Sequence, residues 1–235
     1  MTNKKIKTIL WDFDNTLLNF DVAEKAAIHS TFEKMNIGVC TDQMLKRYGK
    51  INKEYWHKIE DNTIDKQTAL VKRYEDFFIE YSIDPKLAKE FNDIYEIALG
   101  DTIVYIDNSF ELVKSLKDKY KQYIVSNGAK KVQTLRMQKS GFDKIVDDTF
   151  ISDIIGAEKP SIEFFNHVFD KIKISDREEV LIVGDSLTSD IKGGNNAGIL
   201  TCWYNPKKKG IPGGYRVDYN IQNLNNITNI LNKWF

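Results

Sequence analysis

The pattern of apolar and polar positions changes character twice along the chain. Residues 6–11 carry Ile6, Ile9, Leu10 and Trp11, the signature of a short buried strand. That run stops abruptly in Asp12-Phe13-Asp14-Asn15-Thr16. From about Phe20 to Gly100 the apolar residues recur at helical spacing and strand signals are almost absent. Asp21 with Glu24 reads as a capping box for a first helix, with Phe20 at the staple position. This helix carries Ala27, Ile28, Phe32 and Met35 and ends by Gly38. A second helix from about Asp42 carries Leu45, Tyr48, Ile51, Tyr55, Trp56 and Ile59. A third from Asp65 carries Leu70, Val71, Tyr74, Phe77 and Phe78. A fourth opens at Asp84-Pro85, an N-cap followed by proline in the first helical position, and closes at Gly100.

From about Ile103 short apolar runs alternate with helices. Asn108 with Glu111 predicts a second capping box. Tyr123-Ile124-Val125 is a strand that stops at Ser126-Asn127-Gly128, and a helix follows over 130–140. Thr149-Phe150-Ile151 is a further strand, and Lys159-Pro160-Ser161 leads into a helix with Phe164, Phe165 and Val168. Val180-Leu181-Ile182-Val183 ends at Gly184-Asp185, a helix runs to Ala197-Gly198, and residues 200–203 form another strand. Residues 223–235 read as a terminal helix. The alternation predicts an α/β fold, a doubly wound parallel sheet with an inserted all-helical domain. Residues 1–17 and 101–235 are the expected core and 18–100 the insert. Ligands bind such sheets beyond the carboxyl ends of the strands. If the strands ending in Asp12/Asp14, Ser126-Asn127 and Asp185 are neighbours, their polar groups converge on one crevice.

Composition narrows the function classes. Lys+Arg and Asp+Glu are both 34, so the formal charge of this 235-residue chain is zero. That balance argues against a protein that coats a nucleic acid polymer or an anionic membrane, and no run approaches the roughly 20 apolar residues of a membrane helix. The basic N-terminus is followed by too short an apolar run for a signal region. Cys40 and Cys202 have no metal-ligand spacing and read as free thiols of a reducing compartment. A cytoplasmic protein, monomer or weak homodimer, is expected.

The chemistry gathers at the strand ends. Carboxylates where a buried strand ends need a compensating partner. Asp12, Asp14 and Asp185 would place oxygens around a hard cation such as magnesium, which also binds substrate phosphate. Asp12 is placed to act as a nucleophile through an aspartyl-phosphate, with Asp14 as acid and base. Lys159 would supply fixed positive charge, and Ser126 with the amides of Asn127 and Gly128 would supply hydrogen bonds to the phosphoryl oxygens. Taken singly, each motif has a plainer explanation: a solvated turn at Asp12/Asp14, an N-cap at Asp185, a surface helix position at Asp190, a helix entry at Lys159-Pro160. Trp56 reads most simply as core of the helical insert, His29, His57 and His167 have no metal-ligand partner nearby in sequence, and Lys207-Lys208-Lys209 reads as an exposed loop.

Taken together, Asp12-Phe13-Asp14-Asn15-Thr16, Ser126-Asn127-Gly128, Lys159-Pro160 and Gly184-Asp185-Ser186-Leu187-Thr188-Ser189-Asp190 resemble the four ordered motifs of the haloacid dehalogenase (HAD) superfamily. The resemblance implies that the helical insert is a mobile cap and that magnesium is the cofactor. It implies Asp12 as nucleophile and metal ligand, Asp14 as acid/base and metal ligand through its backbone carbonyl, and Thr16 as a residue orienting Asp14 beside the substrate. It further implies Ser126 as phosphoryl-binding, Lys159 as charge-stabilising, Asp185 as a metal ligand, and Asp190 as a group behind the metal that holds water or Lys159. A finer resemblance, to pyrimidine 5'-nucleotidases, is carried by Ile51-Asn52-Lys53-Glu54-Tyr55-Trp56, Arg73, Asn127-Gly128 and residues 194–203. It implies a small phosphate monoester, a nucleoside monophosphate, as substrate, with Asn52, Lys53, Trp56, Arg73, Asn127 and Gly128 as binding residues. The chain departs from the family pattern at Asp107-Asn108-Ser109, where Pro-Gly is usual, and at Ser126, where Thr is commoner. The alternatives are a phosphatase for a sugar phosphate or small phosphorylated acid, a mutase, or a member that binds without turnover. A dehalogenase has no need of Asp14.

Overall fold

The computed structural model describes residues 5–61 and 63–232. The opening strand, β1 (Thr8–Trp11), is buried along its whole length. It is followed by α1 (Phe20–Met35), α2 (Asp42–Glu60), α3 (Lys66–Glu80) and α4 (Ala88–Leu99). The order then becomes α5 (Ser109–Leu116), β2 (Lys121–Ser126), α6 (Lys130–Ser140), β3 (Asp148–Ile151), α7 (Ser152–Ile155), α8 (Ile162–Ile172), β4 (Val180–Gly184), α9 (Lys192–Ala197), β5 (Leu200–Tyr204), β6 (Tyr219–Ile221) and α10 (Ile227–Asn232). Two compact units result: the chain up to Phe20 together with everything from Ile103, and Asp21–Thr102.

The first unit is the expected α/β fold. Six parallel strands stand in the order β3-β2-β1-β4-β5-β6. Alternate side chains of a strand point to opposite faces, and the core follows that rule. Ile9 and Trp11 of β1 join Ile124, Leu181 and Val183 in one layer, against Leu112, Val113 and Leu116 of α5 and Ile227 and Leu231 of α10. Leu10 joins Val125 and Ile182 in the other layer, against Phe164, Phe165, Val168 and Phe169 of α8. Each such fully buried side chain contributes about 1.5–3 kcal/mol. β1 pairs with β2 on one side and β4 on the other, with Trp11 level with Ile124 and Val183. The chain therefore reverses its direction of winding at β1, where a ligand crevice is expected in open parallel sheets.

Three local expectations change. β6 and α7 are absent from the sequence reading because a three-residue edge strand and a single helical turn carry too few positions for any periodicity. Asn108 does not form a capping box: it stands in the left-handed region with φ 60°, next to Asp107 at φ 46°, and makes no side-chain cap bond. Asp107 instead ties this turn to the last strands, accepting from Tyr204 Oη at 3.0 Å and from the Leu224 N–H at 2.9 Å. The terminal helix starts with a 3₁₀ turn, Leu224–Asn226, and residues 233–235 of the predicted span lie outside the described residues, as do residues 1–4 of the basic N-terminus.

The second unit packs α1–α4 around aromatic side chains. Tyr48 and Tyr74 stack with centroids 5.1 Å apart and share a 2.9 Å hydrogen bond between their hydroxyls. Phe77 meets Tyr48 edge-on, Phe78 and Phe91 tilt against Tyr74, and Phe32 packs edge-on to Phe77 and Phe91. α1 begins one residue before Asp21, and Glu24 accepts from Asn52 Nδ2 at 2.8 Å. α4 is preceded by a 3₁₀ turn, Pro85–Leu87, capped by Asp84. Among the described residues no helix is long and apolar enough to cross a membrane.

Candidate active site

β1 runs directly into Asp12. The Asp12 N–H donates to Val183 O at 2.9 Å, so the ladder with β4 continues one residue past the strand and fixes the origin of the carboxylate. The chain then turns, with the N–H groups of Leu17 and Leu18 both donating to Phe13 O at 3.0 Å. That turn brings Thr16 back to Asp12. The Thr16 hydroxyl donates to Asp12 Oδ2 at 2.8 Å and accepts from the Asp185 N–H at 3.1 Å. Thr16 is fully buried and bonds Asp12, which corrects the expectation that it orients Asp14 beside a substrate.

Lys159 reaches the same carboxylate from the far side of the sequence. Its ammonium donates to Asp12 Oδ1 at 2.8 Å, to Asp190 Oδ1 at 2.7 Å and to Val125 O at 2.8 Å. An ammonium has three protons, so all are placed. The Asn127 side chain fixes the backbone that carries this lysine: Oδ1 accepts from the Lys159 N–H and Nδ2 donates to Lys159 O, each at 2.8 Å. The Asn127 side chain thus forms a two-point clamp on the Lys159 backbone. Asp190 is fully buried, and its second oxygen accepts from the Ser186 N–H at 3.1 Å. Gly184 makes room for it, since a Cβ there would lie 2.2 Å from Asp190 Oδ2.

Carboxylate oxygens of Asp12, Asp185 and Asp190 lie within 4.8 Å of one another. Burial, with repulsion from Asp190, raises the Asp12 carboxyl from an ordinary 3.8 to about 7 despite the opposing pull of Lys159. Burial and the charges of Asp12 and Asp190 push Asp185 well above its ordinary range. Burial by itself would lower Lys159, but Asp12 and Asp190 carry it above its usual value. The carboxylates Asp12, Asp14, Asp185 and Asp190 outnumber the cations Lys159 and Arg136 here, and a dication would relieve that repulsion. Hard oxygen donors suit magnesium. Asp190 is fully buried behind the other two, so Asp12 and the half-buried Asp185 are the side chains that would hold the ion.

A pH dependence follows. Asp12 keeps a proton in the folded chain that the unfolded chain releases above its ordinary 3.8, so metal-free stability falls as pH rises from there to about 7, then levels. Magnesium needs the deprotonated carboxylate. Its stabilising effect therefore grows over the same window. The thermal midpoint should rise more on adding magnesium near pH 7.5 than near pH 5.5, as differential scanning fluorimetry would read. A larger rise at the acid end would contradict the assignment of Asp12 as a ligand.

Asp14 is half-buried, and its carboxylate takes a hydrogen bond from Gln133 Nε2 at 2.6 Å and an ion pair from Arg136. Ser126, at the end of β2, joins this group through Gln133 Nε2 at 2.6 Å. Sequence reasoning missed Gln133 and Arg136. Nothing in the run Lys130–Ser140 marks them, because their burial on α6, with that of Ser140, appears only once the helix packs on the sheet.

The residues expected from the helical unit divide. Arg73 donates from Nε to Leu70 O at 3.1 Å, from Nη1 to Asn52 Oδ1 at 2.7 Å and from Nη2 to Asn92 Oδ1 at 3.2 Å. Its guanidinium also lies 4.8 Å from the Tyr74 ring centroid and 5.5 Å from that of Tyr95. Arg73 and Asn52 are both buried in this unit's own polar network. Lys53 is exposed and Trp56 half-buried.

A parallel sheet whose central strand ends in a carboxylate paired with a buried lysine, beside two further carboxylates, defines the class. The chain belongs to the haloacid dehalogenase-like hydrolase family, whose sequence profile matches residues 6–198. Among its relatives, YfnB of Bacillus subtilis (strain 168), which carries a HAD-hydrolase name, is 35% identical over 229 residues, 97% of each chain. The pyrimidine 5'-nucleotidase PynA of Streptococcus pneumoniae is 34% identical over 202 residues, 85% of this chain and 84% of PynA. The pyrimidine 5'-nucleotidase YjjG of Escherichia coli (strain K12) is 26% identical over 225 residues, 96% of this chain and 97% of YjjG. The crystal structure of YfnB bound to magnesium superposes with a TM-score of 0.91 at 36% identity, covering 97% of this chain and 100% of YfnB.

Proposed function

We propose that the protein is a magnesium-dependent phosphomonoesterase that acts through an aspartyl-phosphate, with pyrimidine nucleoside 5'-monophosphates as substrates. The observation that carries the reading is the seating of Asp12. Its two oxygens are bonded to Lys159 and Thr16, and the carboxylates of Asp185 and Asp190 stand beside it. The likeness to PynA and YjjG supports the nucleotide substrate.

In the first half-reaction an Asp12 oxygen attacks phosphorus, the bond from phosphorus to the ester oxygen breaks, and Asp14 gives its proton to that oxygen, releasing the alcohol. In the second, Asp14 takes a proton from water, the water oxygen attacks phosphorus, and the Asp12–phosphorus bond breaks. Inorganic phosphate leaves, and both carboxyls return to their starting states. Lys159 balances charge on Asp12 in both steps, and the Ser126 hydroxyl donates to a phosphoryl oxygen. Magnesium, held by Asp12, Asp185 and the Asp14 backbone carbonyl, would screen the repulsion between nucleophile and phosphate.

The test is a panel. Nucleoside 5'-monophosphates, sugar phosphates and small phosphorylated acids are compared by kcat/KM with magnesium and with a chelator. Pyrimidine monophosphates should lead by about tenfold or more, on the scale of one discriminating polar contact, and chelation should remove activity. Sugar phosphates leading instead would replace the substrate and leave the chemistry standing.

A further inference from the structure

Asp14 is bracketed. Its two partners, Gln133 and Arg136, come from α6 three residues apart and so share a face; they are 1% and 0% exposed. Gln133 Nε2 donates to both Asp14 Oδ2 and Ser126 Oγ, each at 2.6 Å. A side-chain amide nitrogen has two protons, and these bonds use both. Ser126 Oγ also accepts from the Gly128 N–H at 3.1 Å. A hydroxyl has two lone pairs and one proton. With both lone pairs occupied, the Ser126 proton is left to donate. Gly128 is what lets Gln133 sit there, since a Cβ at that position would lie 2.3 Å from Gln133 Nε2.

Arg136 completes the bracket. Its guanidinium carbon lies 5.4 Å from the Phe13 ring centroid and 5.7 Å from that of Phe20. It pairs with Asp14 Oδ1, while Nε and Nη2 meet no hydrogen-bond partner among the described residues. A buried guanidinium with unused donors is a poor structural element, and such groups in native proteins ordinarily have a reason to be there. The carboxylate it faces supplies one.

We propose that Gln133 and Arg136 are positioning residues for phosphoryl transfer: together they aim the Asp14 carboxyl, and Gln133 ties it to Ser126 while leaving the Ser126 proton for a phosphoryl oxygen. This rests on the phosphatase reading above. The acid/base, in the turn after β1, and the phosphate-binding hydroxyl, at the end of β2, are thereby held as a single unit.

Leaving-group chemistry separates positioning from plain structural support. A nitrophenolate leaves without protonation, whereas an alkoxide needs the proton from Asp14. Ser126 acts on phosphoryl oxygens that both esters share. Gln133→Met keeps the length of the side chain and removes both donors. Its kcat/KM for an alkyl phosphate relative to p-nitrophenyl phosphate should fall by about tenfold or more, part of the range general acid catalysis covers. Arg136→Lys keeps the charge and loses the fork, and the same ratio should fall by a smaller factor. Thermal midpoints are recorded beside each rate. An active wild type whose variants lose both esters equally, or keep the wild-type ratio, overturns the proposal alone. A wild type that turns over neither ester overturns the phosphatase reading and this proposal with it.

Discussion

Asp12→Asn should lower kcat on an aryl phosphate by about four orders of magnitude or more, the scale on which loss of a covalent nucleophile registers. That corresponds to roughly 5.5 kcal/mol of barrier. The amide keeps the shape of the carboxylate, and its remaining oxygen can still accept from Thr16 or Lys159. Neutralising this position also removes repulsion from Asp185 and Asp190, which lie within 4.8 Å. Stability in the absence of magnesium should therefore change by no more than about 1 kcal/mol, and in the direction of gain near neutral pH. The paired measurement is decisive. A variant that melts like wild type and has no turnover identifies the nucleophile, and mass spectrometry should find the phosphorylated chain in wild type quenched with acid and not in the variant. A variant retaining a tenth of wild-type turnover would transfer the nucleophile's role elsewhere.

Lys159→Met is expected to destabilise the α/β unit strongly. Methionine nearly matches lysine in volume, so packing is retained and the charge alone is removed. Asp12 and Asp190 then lose their shared cation, and Val125 O loses its donor. Removing one partner of a buried ion pair costs about 3–5 kcal/mol. At this chain length that is a fall of about 6–20 °C in the thermal midpoint, taking roughly 2–4 °C for each kcal/mol. The loss should shrink at acid pH, where Asp12, raised to about 7, carries its proton and no longer needs the lysine. Activity should fall by about 10²–10³, as expected for a lost charge-stabilising donor. Magnesium should restore more stability to this variant than to wild type, because a dication replaces part of the missing charge. A midpoint within about 2 °C of wild type at neutral pH would show that Lys159 is not the counter-charge.

These predictions draw unevenly on sequence and structure. The sheet was legible because its strands are short continuous apolar runs that stop in polar residues, as at Val183-Gly184-Asp185 and Trp11-Asp12. The helical unit was legible because Tyr48, Ile51 and Tyr55, and then Leu70, Tyr74, Phe77 and Phe78, recur at helical spacing. Asp12 and Asp185 could be picked out because each follows directly on a buried apolar run, whereas Lys159 and Asp190 stood out only through the resemblance to the ordered family motifs. Gln133 and Arg136 interrupt nothing. In the run Lys130-Lys131-Val132-Gln133-Thr134-Leu135-Arg136 they look like ordinary polar positions of a surface helix. Only the packing of α6 turns them inward.

Role assignments within the site show the same division. Thr16 is close in sequence to both Asp12 and Asp14, and the sequence cannot choose between them. The turn that donates Leu17 and Leu18 N–H groups to Phe13 O makes the choice for Asp12. For Arg73 and Asn52 the sequence offered a resemblance and no bonding partners; the three-dimensional arrangement supplies Leu70 O, Asn52 and Asn92 to Arg73 from its own unit.

The sequence by itself determined the architecture, the order of the motifs and the carboxylates at the strand ends. It could do so because hydrophobic periodicity is a local property, and charges at the end of a buried run are visible one residue at a time. The tertiary structure decided who bonds whom. β1 came to lie between β2 and β4, so that residues 12, 126, 159 and 185 share one end of the sheet. It gave Thr16 to Asp12 and gave Gln133 and Arg136 to Asp14. Those pairings span up to 122 positions of chain, and no local pattern encodes a contact that exists only once the sheet has closed around it.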